Sequence, residues 1–164
     1  MSLPNSRVLN FAGALICTGL MAYALYAEHV LLLEPCPLCI FQRLGVIAVG
    51  IVFLIAALHN PGKTGRRVYA GLIGLAAAAG AGVAGWHVYL QSLPPEEVPS
   101  CGPGLEYILD TLPLADALSL VFQGSGECAT IDWEFLSLSM PTWVLIAFIG
   151  LGVVGIWNNL RSEQ

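Results

Sequence analysis

Cys36 and Cys39 enclose Pro37-Leu38 in a Cys-x-x-Cys motif, and Arg43 follows four residues after the second thiol. Two thiols at this spacing can close a disulfide and reopen it by exchange, with the thiolate as the reacting species. Proline suits the first turn of a helix, so Pro37 puts Cys36 at the N-cap and Cys39 one turn in. At about 100° per residue, Cys36, Cys39 and Arg43 fall on one stripe roughly 60° wide. A helix N-terminus and a neighbouring cation both favour thiolate over thiol. A merely structural disulfide gains nothing from such surroundings. Arg43 has a bland use, snorkelling toward lipid headgroups, and a chemical one. A guanidinium can donate to a carbonyl oxygen and stabilise the negative charge that develops as the carbonyl is reduced.

Three further cysteines accompany this pair. Cys17 stands alone in an apolar run and reads as a small packing residue. Cys101 and Cys128 lie far apart, the first beside Gly102, Pro103 and Gly104, the second just after Gly124 and Gly126. Three readings fit Cys36, Cys39, Cys101 and Cys128: two inert structural disulfides, a tetrahedral four-cysteine zinc site, or two exchanging disulfides that relay electrons. Zinc sites usually pair two closely spaced knuckles, which Cys101 and Cys128 do not form. The thiolate-favouring surroundings of the first pair favour the relay. The glycine-rich surroundings of the second predict a mobile backbone that would let different partners reach the same sulfurs in turn.

The elements that must carry these residues are membrane helices. The chain is 57% hydrophobic and 10% charged, against about a quarter charged in soluble domains, and its apolar residues gather into blocks. About 20 apolar residues cross the roughly 30 Å hydrocarbon layer, so the blocks predict four transmembrane helices over 8–27, 37–58, 68–93 and 140–160 of a single domain, 1–164. The expected fold is an all-α membrane protein, a four-helix transmembrane bundle, with outer loops over 28–36 and 94–139. Within the long loop, Leu114, Leu118, Val121 and Phe122 share one helical face. That predicts a short helix lying on the membrane surface or, alternatively, packed on the bundle. The small residues over 76–82 permit close helix approach, and Pro141 falls near the start of the fourth helix, where proline is tolerated.

Arg7, Lys63, Arg66, Arg67 and Arg161 flank one end of these helices, and only Arg43 lies toward the other, together with all but one of the eleven acids. Because Lys and Arg mark the cytoplasmic face, both termini are expected in the cytoplasm and both cysteine loops outside, where disulfides persist. Nucleic acid is not an expected partner. Ala22-Tyr23-Ala24 also fits a signal-peptide cleavage pattern, but the preceding run is long for one, and a retained helix is expected. An oxidant that lives in the membrane and presents carbonyls to Arg43 would be a quinone.

The combination resembles the bacterial inner-membrane disulfide bond formation protein B (DsbB) family over nearly the whole chain. Four helices, Cys-x-x-Cys heading the second, an arginine four residues later and a separated cysteine pair in the last outer loop carry the likeness, with "GECATIDWEFLSLSMPTW" at 126–143. The resemblance implies a thiol:quinone oxidoreductase of the inner membrane. Cys101 and Cys128 would form the disulfide that accepts electrons from a periplasmic thioredoxin-fold oxidase of the DsbA type, with Cys101 the sulfur attacked. Exchange would pass the electrons to Cys36 and Cys39; Cys39 would contact a ubiquinone or menaquinone, and Arg43 would bind its oxygen. His87-Val88-Tyr89-Leu90-Gln91 resembles the family's H-x-x-L-Q, which adds His87 as a quinone-binding candidate; an interfacial histidine bonded to water is the other reading. The alternatives are a paralogue dedicated to one thiol partner, a protein like vitamin K epoxide reductase, and an assembly protein held by two inert disulfides.

Overall fold

The computed structural model of the chain describes residues 5–94, 96–98, 110, 113–124 and 126–161. Four long helices dominate: α1 (Ser6–His29), α2 (Pro37–His59), α3 (Lys63–Gln91) and, after the outer segment, α6 (Met140–Leu160). Between α3 and α6 lie α4 (Leu114–Gln123), the single turn α5 (Gly126–Ala129) and a hairpin of β1 (Glu134–Phe135) and β2 (Leu138–Ser139). Each long helix is apolar and long enough to cross a bilayer, and the chain is an all-α, multi-pass membrane protein. Its outer surface bears this out: Leu75 is 71% exposed and Val153 62%. Water would penalise such a surface, whereas hydrocarbon accepts it.

Local chemistry fixes the helix ends. The Asn5 side chain caps α1 by accepting from the Arg7 N–H at 3.0 Å. Asn60 stops α2 in the left-handed conformation, φ 44°, and Gly62 caps α3. Helix α3 therefore starts at Lys63, ahead of the apolar run that begins at 68: hydropathy marks where hydrocarbon lies, not where the backbone starts to coil. Basic residues in a first helical turn oppose the helix dipole. Arg66 offsets this by donating to the Asn158 and Arg161 carbonyls at 3.1 and 2.8 Å, at the C-terminal end of α6 where a cation is welcome.

Helix α3 packs most closely on α6, α1 on α2, and α2 on α3. Lipid tails are as apolar as leucine, so close van der Waals fit replaces the hydrophobic effect between these helices. Phe148 of α6 lies over Gly80 of the small-residue run, and Ala77 is buried beside it. A Cβ added at Gly155 would come within 2.6 Å of Ile73 and 2.8 Å of Phe53. Cys17 belongs to this core, 3% exposed, between Val46, Val49 and Phe53, and packing accounts for it. At the end away from the cysteine motif, Asn10 of α1 donates to Asn159 Oδ1 at 3.1 Å and accepts from both Asn158 and Asn159 at 3.0 Å. This buried amide knot ties the start of α1 to the end of α6.

A second core sits at the other end, where Cys36, Leu38, Leu90, Val121 and Cys128 are buried together. Through Val121, and through Phe122 against Phe41 with ring centroids 5.5 Å apart, α4 packs on the bundle. The side chains of Leu114 and Leu118 lie outside the described residues, as do Cys101 and the surrounding 99–109 segment. Cys128, expected at a glycine-flanked site, is 1% exposed and packed in this outer core. Gly124 makes this possible, turning the chain at φ 84° with its Cα close against Leu90.

Candidate active site

Cys36 is the N-cap of α2, its Sγ accepting from the Cys39 N–H at 3.4 Å, and Pro37 occupies the first helical position. The proline lacks one of the N–H groups that a helix start leaves unpaired, and the sulfur takes another. Cys39 Sγ lies 3.0 Å from Cys36 Sγ. The two sulfurs face different surroundings. Cys36 is 8% exposed and belongs to the buried outer core, whereas Cys39 is half-buried, and both border a cavity of about 550 Å³.

Cys128 approaches from α5. Cys36 Sγ, His87 Nε2 and Cys128 Sγ lie within 4.8 Å of one another, all three residues buried. His87 is 2% exposed, which corrects the reading of an interfacial, water-bonded histidine. Its Nε2 is 3.0 Å from the Cys128 carbonyl and 3.8 Å from Cys36 Sγ, and its Nδ1 is 2.9 Å from Gln42 Nε2. The whole H-x-x-L-Q motif serves this contact, because positions i, i+3 and i+4 share one helix face. Leu90 packs in the outer core, while Gln91 donates to the Thr130 carbonyl at 3.4 Å and accepts from Ser139 Oγ at 2.7 Å. Gln91 thus holds both ends of the stretch that follows Cys128.

Arg43 lines the same cavity as Cys39. Its Nη1 forms an ion pair with Glu28, and its Nη2 donates to the Ala24 carbonyl at 3.3 Å. Both acceptors belong to α1, so the guanidinium bridges two helices across the cavity wall. Glu28 sits in the last turn of α1, not in the outer loop predicted to begin at 28. A guanidinium carries five N–H donors, more than these two acceptors use. Apolar and aromatic side chains, including Leu20, Val46, Trp133 and Trp143, share the rest of the wall with polar ones, among them Glu34, Gln42, His87, Glu127 and Asp132. Tyr23 meets Trp133 edge-on at 6.1 Å, and the Trp143 Nε1–H donates to the Phe135 carbonyl at 3.1 Å, fixing the hairpin over the cavity. The volume is within the roughly 300–1,000 Å³ of small-molecule sites, which are likewise mostly apolar with a few placed polar groups.

The structure thus brings Cys36, Cys39, Cys128, Arg43 and His87 to one place. Two side chains that sequence reasoning passed over belong there too. Glu28 carried a signal, an acid at the end of an apolar run, where an ionisable group needs a named partner. Gln42 carried a weaker one, an amide inside a lipid-buried helix that must find a hydrogen bond.

Fold and site define a class: a four-helix membrane protein whose paired cysteines head a membrane helix, border a cavity and lie close to a third cysteine from a later segment. The sequence profile of the family described as Disulfide bond formation protein DsbB matches residues 6–158, and the chain belongs to that family. It is 52% identical to the disulfide bond formation protein B of Methylococcus capsulatus, covering 98% of this chain and all of the relative. The corresponding protein of Nitrosococcus oceani is 52% identical over 95% of this chain and 92% of its own length. That of Acinetobacter baylyi is 57% identical over 86% and 83%.

Proposed function

We propose that this protein is a protein-disulfide:quinone oxidoreductase of the bacterial inner membrane that reoxidises a periplasmic DsbA-like thiol oxidase. Electrons enter at the Cys101–Cys128 disulfide, with Cys101 the sulfur attacked, and pass by exchange to Cys36 and Cys39. The observation that carries this reading is that the Cys128 sulfur lies within 4.8 Å of Cys36 while Cys39 and Arg43 border the cavity. Inert disulfides would not need a third sulfur within reach. Family membership supports a role in disulfide bond formation, and five of the six basic residues lie at the opposite end of the helices, which supports a periplasmic location for the cysteines.

The exchange steps belong to this chain's own residues. Cys128 as thiolate attacks Cys36, and the Cys36–Cys39 bond opens with its electron pair on Cys39. The second thiol of the DsbA-like partner releases Cys101 from their mixed disulfide, and Cys101 as thiolate then attacks Cys128, restoring the loop disulfide and leaving Cys36 reduced. The cavity can hold a ubiquinone or menaquinone head: its size suits a substituted ring, Leu20, Val46, Trp133 and Trp143 give it an apolar and aromatic side, and Cys39, Arg43 and His87 are among the polar groups that border it. A quinone bound there would supply the two-electron sink. Cys39 presents the donor sulfur to the cavity, Arg43 donates to a carbonyl oxygen, and Glu28 with the Ala24 carbonyl keeps the guanidinium aimed.

The test mixes membranes containing the protein with a reduced DsbA-like oxidase and a ubiquinone analogue, and counts thiols. Quinone-dependent thiol loss is expected; its absence would remove the enzymatic claim. Thiol trapping separates this reading from inert disulfides: a Cys128→Ala protein should accumulate a mixed disulfide with the partner, whereas an assembly protein yields none. Near-stoichiometric zinc after chelator-free purification would instead favour the metal site.

A further inference from the structure

His87 borders the cavity, and its Nε2 is turned to the Cys128 carbonyl and the Cys36 sulfur. Its Nε2 lies 3.0 Å from a carbonyl oxygen, that of Cys128. A carbonyl only accepts, so Nε2 carries the hydrogen. In the neutral ring Nδ1 is then an acceptor, and Gln42 Nε2 donates to it at 2.9 Å. A glutamine on the other nitrogen fixes both tautomer and ring plane, as groups hydrogen-bonded to a histidine commonly do. The result is an N–H held 3.8 Å from Cys36 Sγ, in a pocket where His87 and Gln42 are 2% and 4% exposed.

We infer that His87 is a catalytic residue of the internal exchange between Cys128 and Cys36, donating its Nε2–H to the Cys36 sulfur as that sulfur leaves, and that Gln42 is its positioning residue. The inference rests on the relay reading above. In the step concerned Cys101 attacks Cys128, the Cys101–Cys128 bond forms, the Cys128–Cys36 bond breaks and the electron pair remains on Cys36 as thiolate. No proton needs to move. The buried thiolate has lost water, and a preoriented donor replaces it, the arrangement that stabilises developing charge at least reorganisation cost. The short distance to the Cys128 carbonyl lets the same N–H hold Cys128 in line until the sulfur bond opens. Arg43 and Cys39 then serve the cavity, and His87 serves the exchange.

The experiment separates the two half-reactions. Quinone-depleted protein is mixed with reduced DsbA-like oxidase and quenched with acid, and alkylation counts the thiols appearing at Cys36 and Cys39. In parallel, pre-reduced protein is mixed with ubiquinone-1 and followed by absorbance. His87→Phe and Gln42→Leu should slow the first reaction about 10- to 100-fold more than the second, the range for losing one hydrogen bond to a charged group. Gln42→Glu, which still bonds Nδ1 and leaves a hydrogen on Nε2 in the charged ring, should restore the exchange rate. Equal slowing of both reactions, or slowing confined to the ubiquinone-1 step, would overturn the inference in favour of a quinone ligand. If the unsubstituted protein shows no exchange at all, the relay reading itself fails. A measurement without variants guards against misfolding: ¹⁵N spectra of histidine-labelled protein should show His87 protonated at Nε2, and a ring protonated only at Nδ1 would contradict the inference.

Discussion

Cys39→Ser protein is expected to lose quinone-linked turnover down to the uncatalysed background, with electrons from the partner reaching no further than Cys101 and Cys128. The two thiols of the motif have divided surroundings: Cys36 is buried against Cys128 and His87, whereas Cys39 lies one turn into α2 and is half-buried at the cavity. Serine keeps the shape and the hydrogen bonding of the first turn but cannot form a disulfide or supply a soft two-electron donor. Without a Cys36–Cys39 bond for the Cys128 thiolate to open, exchange should stop at the loop pair, and alkylation mapping after mixing with reduced partner should find new thiols only at Cys101 and Cys128. Turnover within a few-fold of the unsubstituted protein would mean that electrons leave by another sulfur.

The second large effect is expected at Arg43. Removing one preoriented donor to a developing oxyanion usually costs about 10²–10³ in rate, and Arg43→Ala should lose turnover on that scale with ubiquinone-1. Lysine keeps the charge but not the planar fork, so Arg43→Lys should fall between the two. Because the guanidinium also spans α1 and α2 through Glu28 and Ala24, the variant must be shown to be folded. Electron entry from the reduced partner into Cys36 and Cys39 reports this separately from the cavity step. Unchanged kinetics over a range of quinone concentrations would reduce Arg43 to an ion pair joining two helices.

Much of this arrangement was legible in the sequence, and the parts that were not share a physical cause. Apolar blocks and the lipid thickness were enough to predict four spanning helices, because hydropathy is a property of single segments. The N-cap position of Cys36 followed from Pro37, again a local rule. The fate of Cys128 did not. Glycines flank it, and local rules do not tell that Gly124 turns the chain closely over Leu90 and that Cys128 is buried behind it in the outer core. His87 was singled out only by likeness to a motif, and its place could not be read because its partners, Gln42 and the Cys128 carbonyl, come from other segments. The pairing of Glu28 with Arg43 was hidden for the same reason: counting charges by side of the membrane put both groups at one end without bringing them together. Long-range contact is what a one-dimensional reading lacks, and the active site consists of little else.

The most direct test is a single-turnover titration. Purified protein, reduced at Cys36 and Cys39 and freed of reductant, is mixed with ubiquinone-1 or a menaquinone analogue, and quinol and remaining thiols are counted. The account predicts one quinol formed per protein with the loss of the two thiols at Cys36 and Cys39. Full retention of both thiols with every benzoquinone and naphthoquinone offered would contradict it.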